Sequence, residues 1–252
     1  MLAGVLLALL DTTAKYVVRD HSLFLVVWAR YAGQMAIVTP FARHRAGPHF
    51  WRTKHLKMQI LRSLCLVAAT CFFFGGLRFL PLAENSAISF ISPVLIVLAA
   101  IPILGERPTR ARWIAVGIGF AGVMVMLRPG SSVLQPAALL PLGAAATNAL
   151  YQVLTRRVSG DSVYTTLFYS GLVGTVLFTL ALPWGLDQQS ITWREGGLIL
   201  LLGVLAGTAH WLLTASFLAA PASLLTPFTY VQLLWATFLG WLVFDHLPDA
   251  GS

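Results

Sequence analysis

The chain has 252 residues, of which 58% are hydrophobic and only 10% charged, against roughly 25% charged in soluble domains. That much apolar surface excludes water as the solvent of the folded chain, and the length leaves little room for a soluble domain beside a lipid-embedded one. The net charge of +8 arrives without an RNA- or DNA-binding motif, which argues against nucleic acid as a partner and for basic loops beside a lipid bilayer.

In chain order, apolar windows predict all-α spans near 2–18, 23–41, 58–79, 83–104, 113–128, 134–154, 163–184, 197–219 and 224–244, nine in all. The first lacks a basic leader and carries Asp11 and Lys15 within its apolar run, so it reads as a span rather than a cleavable signal peptide. On the third, Cys65 and Cys71 stand six residues apart and point in different directions, which argues against their pairing. His44, His49 and His55 lack the spacing of a zinc site, and no glycine-rich phosphate cradle ends in Lys and Ser/Thr. No metal, no cofactor and no nucleotide-driven pump is expected.

Orientation follows from the basic residues. With a cytoplasmic N-terminus, the inner loops hold Arg43, Arg45, Arg52, Lys54, Lys57, Arg62, Arg107, Arg110, Arg112, Arg156 and Arg157, eleven of the seventeen Lys and Arg. The outer ends keep Lys15, Arg19, Arg78, Arg128 and Arg194, while Arg30 sits well inside the second span.

A repeat is superimposed on this pattern. Ser86, Ser89, Phe90 and Ser92 recur in kind 140 positions later as Thr226, Thr229, Tyr230 and Gln232, framed by Pro81/Pro221 and Pro108/Pro248. Spans four and nine then match while running in opposite directions, so the two copies are inverted in the membrane. The loop 105–112 is basic, whereas its counterpart 245–249 has no Lys or Arg. A weaker match at an offset of 137 aligns Asp11 with Asn148 and Lys15 with Gln152. The expected division is residues 1–130, with spans one to five, and 131–252, with spans six to nine.

The run Leu80-Pro81-Leu82-Ala83-Glu84, the polar stripe before Pro93, and Leu104-Gly105-Glu106-Arg107-Pro108 ahead of a glycine-rich fifth span together resemble the EamA family of the drug/metabolite transporter superfamily. Asp11-Thr12-Thr13-Ala14-Lys15-Tyr16 and Val27-Trp28-Ala29-Arg30-Tyr31 are similar to segments of bacterial members that carry metabolites. The resemblance covers essentially the whole chain. It implies ten helices in two inverted five-helix repeats around a central cavity, with alternating access for a small solute. The chain stops at Ser252, where that pattern would begin a tenth helix, so either the chain is truncated or the tenth span is missing.

Ionisable groups at mid-bilayer cost at least about 2.5 kcal/mol, so they face the bundle interior. Asp11 lies roughly 12 Å below the outer end of span one, and Arg30 at similar depth on antiparallel span two. With Lys15 one turn from Asp11, the three form a charged cluster that either borders the cavity or staples the spans. Asn148 and His210 fall near mid-depth; His210 suits proton coupling or an interhelix hydrogen bond. The small hydroxyl residues read as helix packing, with Tyr230 and Gln232 reaching further as solute contacts. Trp28, Tyr31, Tyr151 and Trp211 either stack on a planar solute or anchor helices. Arg78 and Glu84 bracket an outer turn as a gate or a solvated ion pair, and Glu106 caps or tethers helix ends.

The expected function is a multi-pass secondary transporter of the inner membrane. Its solute is a small amino-acid-, nucleoside- or opine-like metabolite, with proton coupling or exchange open and a homodimer open as the assembly. The alternatives are an intramembrane enzyme using Asp11 and His210 as acid and base, and a non-transporting membrane subunit.

Overall fold

The computed structural model describes residues 2–127, 135–185 and 192–244. Arg128 and the loop 245–249, with Pro248, lie outside the described residues. Among the described residues the fold is all-helical: α1 Leu2–Val17, α2 Leu23–Ala46, α3 Leu56–Gly76, α4 Leu82–Ser89, α5 Ser92–Leu104, α6 Arg110–Leu127, α7 Leu139–Arg157, α8 Val163–Gly185, α9 Trp193–Ala219, α10 Ala222–Thr229 and α11 Val231–Phe244. A short 3-10 turn, Pro136–Ala138, leads into α7. Among the described residues, seven helical segments are long and apolar enough to cross a membrane, counting α4 with α5 and α10 with α11 as one each.

Spans four and nine, read from the sequence as continuous, are each two helices. Pro93 at the start of α5 has no N–H to offer the Ser89 carbonyl, so the ladder gives way just before it. Phe90 N donates to the Ser86 and Ala87 carbonyls at 3.0 and 3.1 Å, and Ile91 N to Ile88 O at 3.3 Å, a tightened turn of three-residue spacing. In α10, Pro227 likewise denies a donor to the Ser223 carbonyl, and the Thr226 hydroxyl supplies one at 3.1 Å. Tyr230 follows as the junction to α11.

Packing places α2 against α8 and α9, α3 against α7, α1 against α9 and α11, and α5 against α7. The main core gathers Leu10, Val27, Tyr31, Leu66, Phe74, Tyr151, Leu202 and Ala206, and a second gathers Ile96, Ala100, Ala149, Val153 and Phe217. Outward faces carry exposed Ile114, Ile118, Leu180, Leu200 and Leu234, as expected where lipid rather than water is the neighbour. A close helix approach is made at Gly33 and Gly203, where a Cβ on either residue would lie 2.6 Å from the other's Cα. Small residues at such crossings let backbones meet and gain dispersion contacts that lipid would otherwise supply.

Arg62 corrects the reading that grouped it with a basic loop. It lies within α3, fully buried, and ties that helix to two others. Its Nε donates to Thr155 Oγ1 of α7 at 3.0 Å, and Nη1 donates to Thr166 O and Ser170 Oγ of α8 at 2.9 and 3.0 Å. Nη1 also reaches Gln59 Oε1 at 3.2 Å, and the guanidinium carbon stands 4.8 Å from the Tyr151 ring centroid. A buried cation is tolerated because polar partners and an aromatic face replace its hydration. Gln59 extends the network by donating to Asp161 Oδ2 at 2.8 Å.

Candidate functional site

A cavity of about 150 Å³ lies among α1, α2, α3, α7 and α9 and the two helix junctions. Asp11 enters it from α1, Arg30 from α2, Asn148 and Gln152 from α7, His210 from α9, and Gln232 from α11. Ser86, Ser89, Ser92 and Thr229 line it where α4–α5 and α10–α11 are interrupted, and Phe73, Phe74 and Phe90 form an apolar wall. The interruptions thus deliver polar side chains and helix ends to one space, the arrangement in which irregular backbone is tolerated at membrane depth.

Three side-chain bonds join distant helices here. Gln232 Nε2 donates to Asp11 Oδ2 at 3.0 Å, linking α11 to α1. Arg30 Nη2 lies 2.6 Å from His210 Nε2, linking α2 to α9. Because a guanidinium only donates, Nε2 accepts, and the ring hydrogen belongs on Nδ1. The Arg30 guanidinium carbon also stands 4.6 Å from the Tyr31 ring centroid. Asn148 Nδ2 donates to Ser92 Oγ at 3.0 Å, joining α7 to the start of α5.

Of the sequence-predicted site residues, the structure brings Asp11, Arg30, Asn148, His210 and Gln232 together around the cavity. The expected cluster of Asp11, Lys15 and Arg30 is corrected. Asp11 and Arg30 share the cavity but bond to Gln232 and His210, and Lys15 Nζ donates to Leu80 O and Leu77 O at 2.7 and 3.4 Å. One helical turn carries the long Lys15 side chain to the end of α3, where carbonyls lack intrahelical donors. There it lines a separate basic hollow with Arg19, Asp20, His21 and Arg78.

The Arg78–Glu84 pair is also corrected: Arg78 Nη2 donates to the His21 carbonyl at 3.1 Å and does not pair with Glu84. A backbone carbonyl held in place offers a fixed acceptor, so the guanidinium closes on it without crossing the turn. Tyr31 is buried beside the cavity, its hydroxyl 3.0 Å from Thr70 Oγ1, with Gly174 against its ring. Tyr151 stacks on Arg62 and lies 6.2 Å, centroid to centroid, from His210. Trp28 Nε1 donates to Thr179 Oγ1 at 3.0 Å, and Trp211 is 41% exposed on the outward face of α9. Tyr230 packs on Phe90 at 5.9 Å and on Gly119, outside the cavity lining.

Glu106 does cap a helix. Its carboxylate accepts from Ala222 N at 2.9 Å and Ser223 N at 3.2 Å, the first orphan donors of α10. Gln152, Ser86, Ser89, Ser92 and Thr229 join the cavity although the sequence reading gave them packing roles or none. The signal for Gln152 was present, since it follows Asn148 by one helical turn on the same face.

The model of the EamA-like transporter family matches residues 1–128 and again 135–249. A riboflavin transporter of Vibrio cholerae is 28% identical, covering 98% of this chain and 84% of its own length. An S-adenosylmethionine uptake transporter of Rickettsia prowazekii is 26% identical over 96% of this chain and 82% of its own length. A riboflavin transporter of Rhizobium johnstonii reaches 30% identity over 98% of this chain and 82% of its own length. A solved crystal structure, 21% identical, superimposes with a TM-score of 0.79 over 99% of this chain and 89% of that one, a likeness of fold.

Proposed function

We propose, from the premise that this chain belongs to the EamA-like transporter family, that it is a secondary transporter working by alternating access around the cavity of Asp11, Arg30, Asn148, His210 and Gln232. The chain is a multi-pass membrane protein that carries a small metabolite, and it is not an enzyme. The solute is an amino-acid-, nucleoside- or opine-like metabolite, moved across the inner membrane. Transport is proton-coupled or an exchange, with Asp11 and His210 as the titratable groups of the cavity. The N-terminus is cytoplasmic, and the bundle admits a homodimer.

The observation that carries this reading is the polar cavity built at two helix interruptions 140 residues apart, at Phe90 and Tyr230. Discontinuous spans of this kind are where secondary transporters hold their solutes. An inverted repeat of nine spans, residues 1–130 and 131–252, is supported by the packing. The contact of α3 with α7 has its counterpart in α9 with α1, and that of α5 with α7 in α11 with α1. Basic side chains recur in the same role: Lys15 donates to Leu80 O near the end of α3, and Arg156 to Leu218 O in the last turn of α9.

The test is gradient-driven flux in proteoliposomes containing the purified chain, over a panel of amino acids, nucleosides and opines. Uptake of one class, abolished by Asn148→Leu or Asp11→Asn, is the expected result. Absence of flux for every class, from protein verified as folded and inserted, overturns the reading.

A further inference from the structure

We infer that Arg30 is the anchor for a carboxylate on the transported solute, which makes that solute a small zwitterion or monoanion with an apolar portion rather than a neutral nucleoside. This rests on the cavity being the solute site.

Arg30 is only 3% exposed, and among the described residues its one hydrogen bond is that from Nη2 to His210. Both Nε and Nη1 are buried without a partner, so several N–H hydrogens are uncommitted. A guanidinium left in that state within a bilayer is costly, whereas most buried arginines have their donors satisfied, as Arg62 largely does here. Neither cavity neighbour satisfies these donors: His210 accepts through one nitrogen, and Asp11 bonds to Gln232 rather than to Arg30. What the unpartnered Nε and Nη1 donors match is a planar pair of acceptor oxygens, the geometry of a carboxylate. Tyr31 covers the guanidinium face, which leaves the edges for recognition.

The rest of the lining sets further limits on the solute. Asp11 in the same cavity repels a second negative group and accepts from an ammonium, so a dianion is disfavoured and an amine tolerated. Gln152 Oε1 and Ser86 Oγ are also buried without partners and line the cavity, giving a polar solute two more contacts. Phe73, Phe74 and Phe90 present rings to an apolar portion. At about 150 Å³ the cavity is half the low end of typical ligand sites, about 300 Å³. The solute is therefore small in this state of the protein.

The experiment measures ligand-induced thermal stabilisation of the full chain in lipid nanodiscs, titrated with three probe pairs: L-alanine, L-leucine and L-phenylalanine, each against its primary amide. At least one acid should bind about tenfold or more tighter than its amide, the discrimination expected when a charged hydrogen-bond pair is lost. Arg30→Gln should erase that preference, and Arg30→Lys should keep part of it, as a point charge without the fork. Equal binding of acid and amide in every pair, no binding by any probe, or a preference that survives in R30Q overturns the inference. The acid–amide comparison on the unaltered chain needs no variant to fold. Neutral nucleosides moved equally by the unaltered chain and R30Q would end this inference and leave the transporter reading standing. Carboxylate binding without flux of any solute would do the reverse.

Discussion

Gly33→Ala tests how closely the α2–α9 crossing governs the site. The added methyl carbon would stand 2.6 Å from Gly203 Cα, whereas carbon atoms in contact sit about 3.5–4.0 Å apart. The obstacle is backbone, so no rotamer change relieves it, and the helices must part locally by about 1 Å. Overpacking of this kind costs about 1–3 kcal/mol. Arg30 lies one turn before Gly33, with its Nη2 2.6 Å from His210 Nε2 of α9. Adding that separation takes the pair to about 3.6 Å, where the hydrogen bond is lost. G33A and G203A should therefore each lower stability and weaken solute uptake together. Gly196→Ala, in the same α9 but with open space around its Cβ, should instead gain up to about 1 kcal/mol from helix propensity. Reversible unfolding in mixed micelles, followed by circular dichroism, gives the first quantity, and proteoliposome flux the second. If G33A matches the unaltered protein in both, or G196A loses as much as G33A, the reasoning fails.

Arg62→Ala removes four hydrogen bonds and should cost about 3–5 kcal/mol, while Arg62→Met, similar in length and uncharged, should cost about 1–3 kcal/mol because Gln59 Oε1 loses its donor. Unfolding midpoints in the reverse order contradict the account of the network. Glu106→Ala strips the N–H groups of Ala222 and Ser223 of their acceptor and should cost about 1 kcal/mol; hydrogen exchange should accelerate in α10 and not in α3. Gln152→Leu should lower uptake about tenfold or more, whereas Trp211→Phe, on the outward face of α9, should leave it within about twofold. A flux assay in which W211F falls as far as Q152L refutes the placement of the site.

The helices were legible because lipid imposes a length and a composition that a window detects without any tertiary knowledge. Their interruptions were not, since Pro93 and Pro227 are tolerated in membrane helices and only the hydrogen-bond ladder shows where the turn tightens. Among the residues that line the cavity, mid-depth polarity points to Asp11, Arg30, Asn148 and His210, for the reason that burial of such groups needs a polar neighbour. Lys15 and Arg62 show where that logic stops. A long basic side chain reaches about a turn beyond its Cα, so its position in sequence does not fix which carbonyl or hydroxyl it meets. The aromatic residues were harder still. Tyr31, Tyr151 and Trp211 are alike in a sequence window, yet one covers a guanidinium at the cavity, one stacks on Arg62, and one faces outward.

Two of the side-chain bonds at the cavity, those made by Asp11 and Arg30, have a common property. Asp11–Gln232 joins α1 to α11, and Arg30–His210 joins α2 to α9, so each ties a helix before residue 130 to one after it. On the alternating-access reading, any rocking of one repeat against the other strains both bonds. A carboxylate that engages Arg30 competes with His210 for the guanidinium and weakens one of these ties, while an ammonium that engages Asp11 weakens the other. Binding then carries a different free energy in arrangements where the ties are made and where they are broken, which is the condition for a ligand to shift a conformational equilibrium. On the same reading, the Gly33–Gly203 crossing, a close backbone contact one turn from Arg30, would serve as the pivot, because a contact without side chains permits rotation of α2 against α9 with little repacking. On that reading recognition and movement depend on the same few side chains, and a substitution at that crossing should alter flux without removing any side chain of the cavity wall.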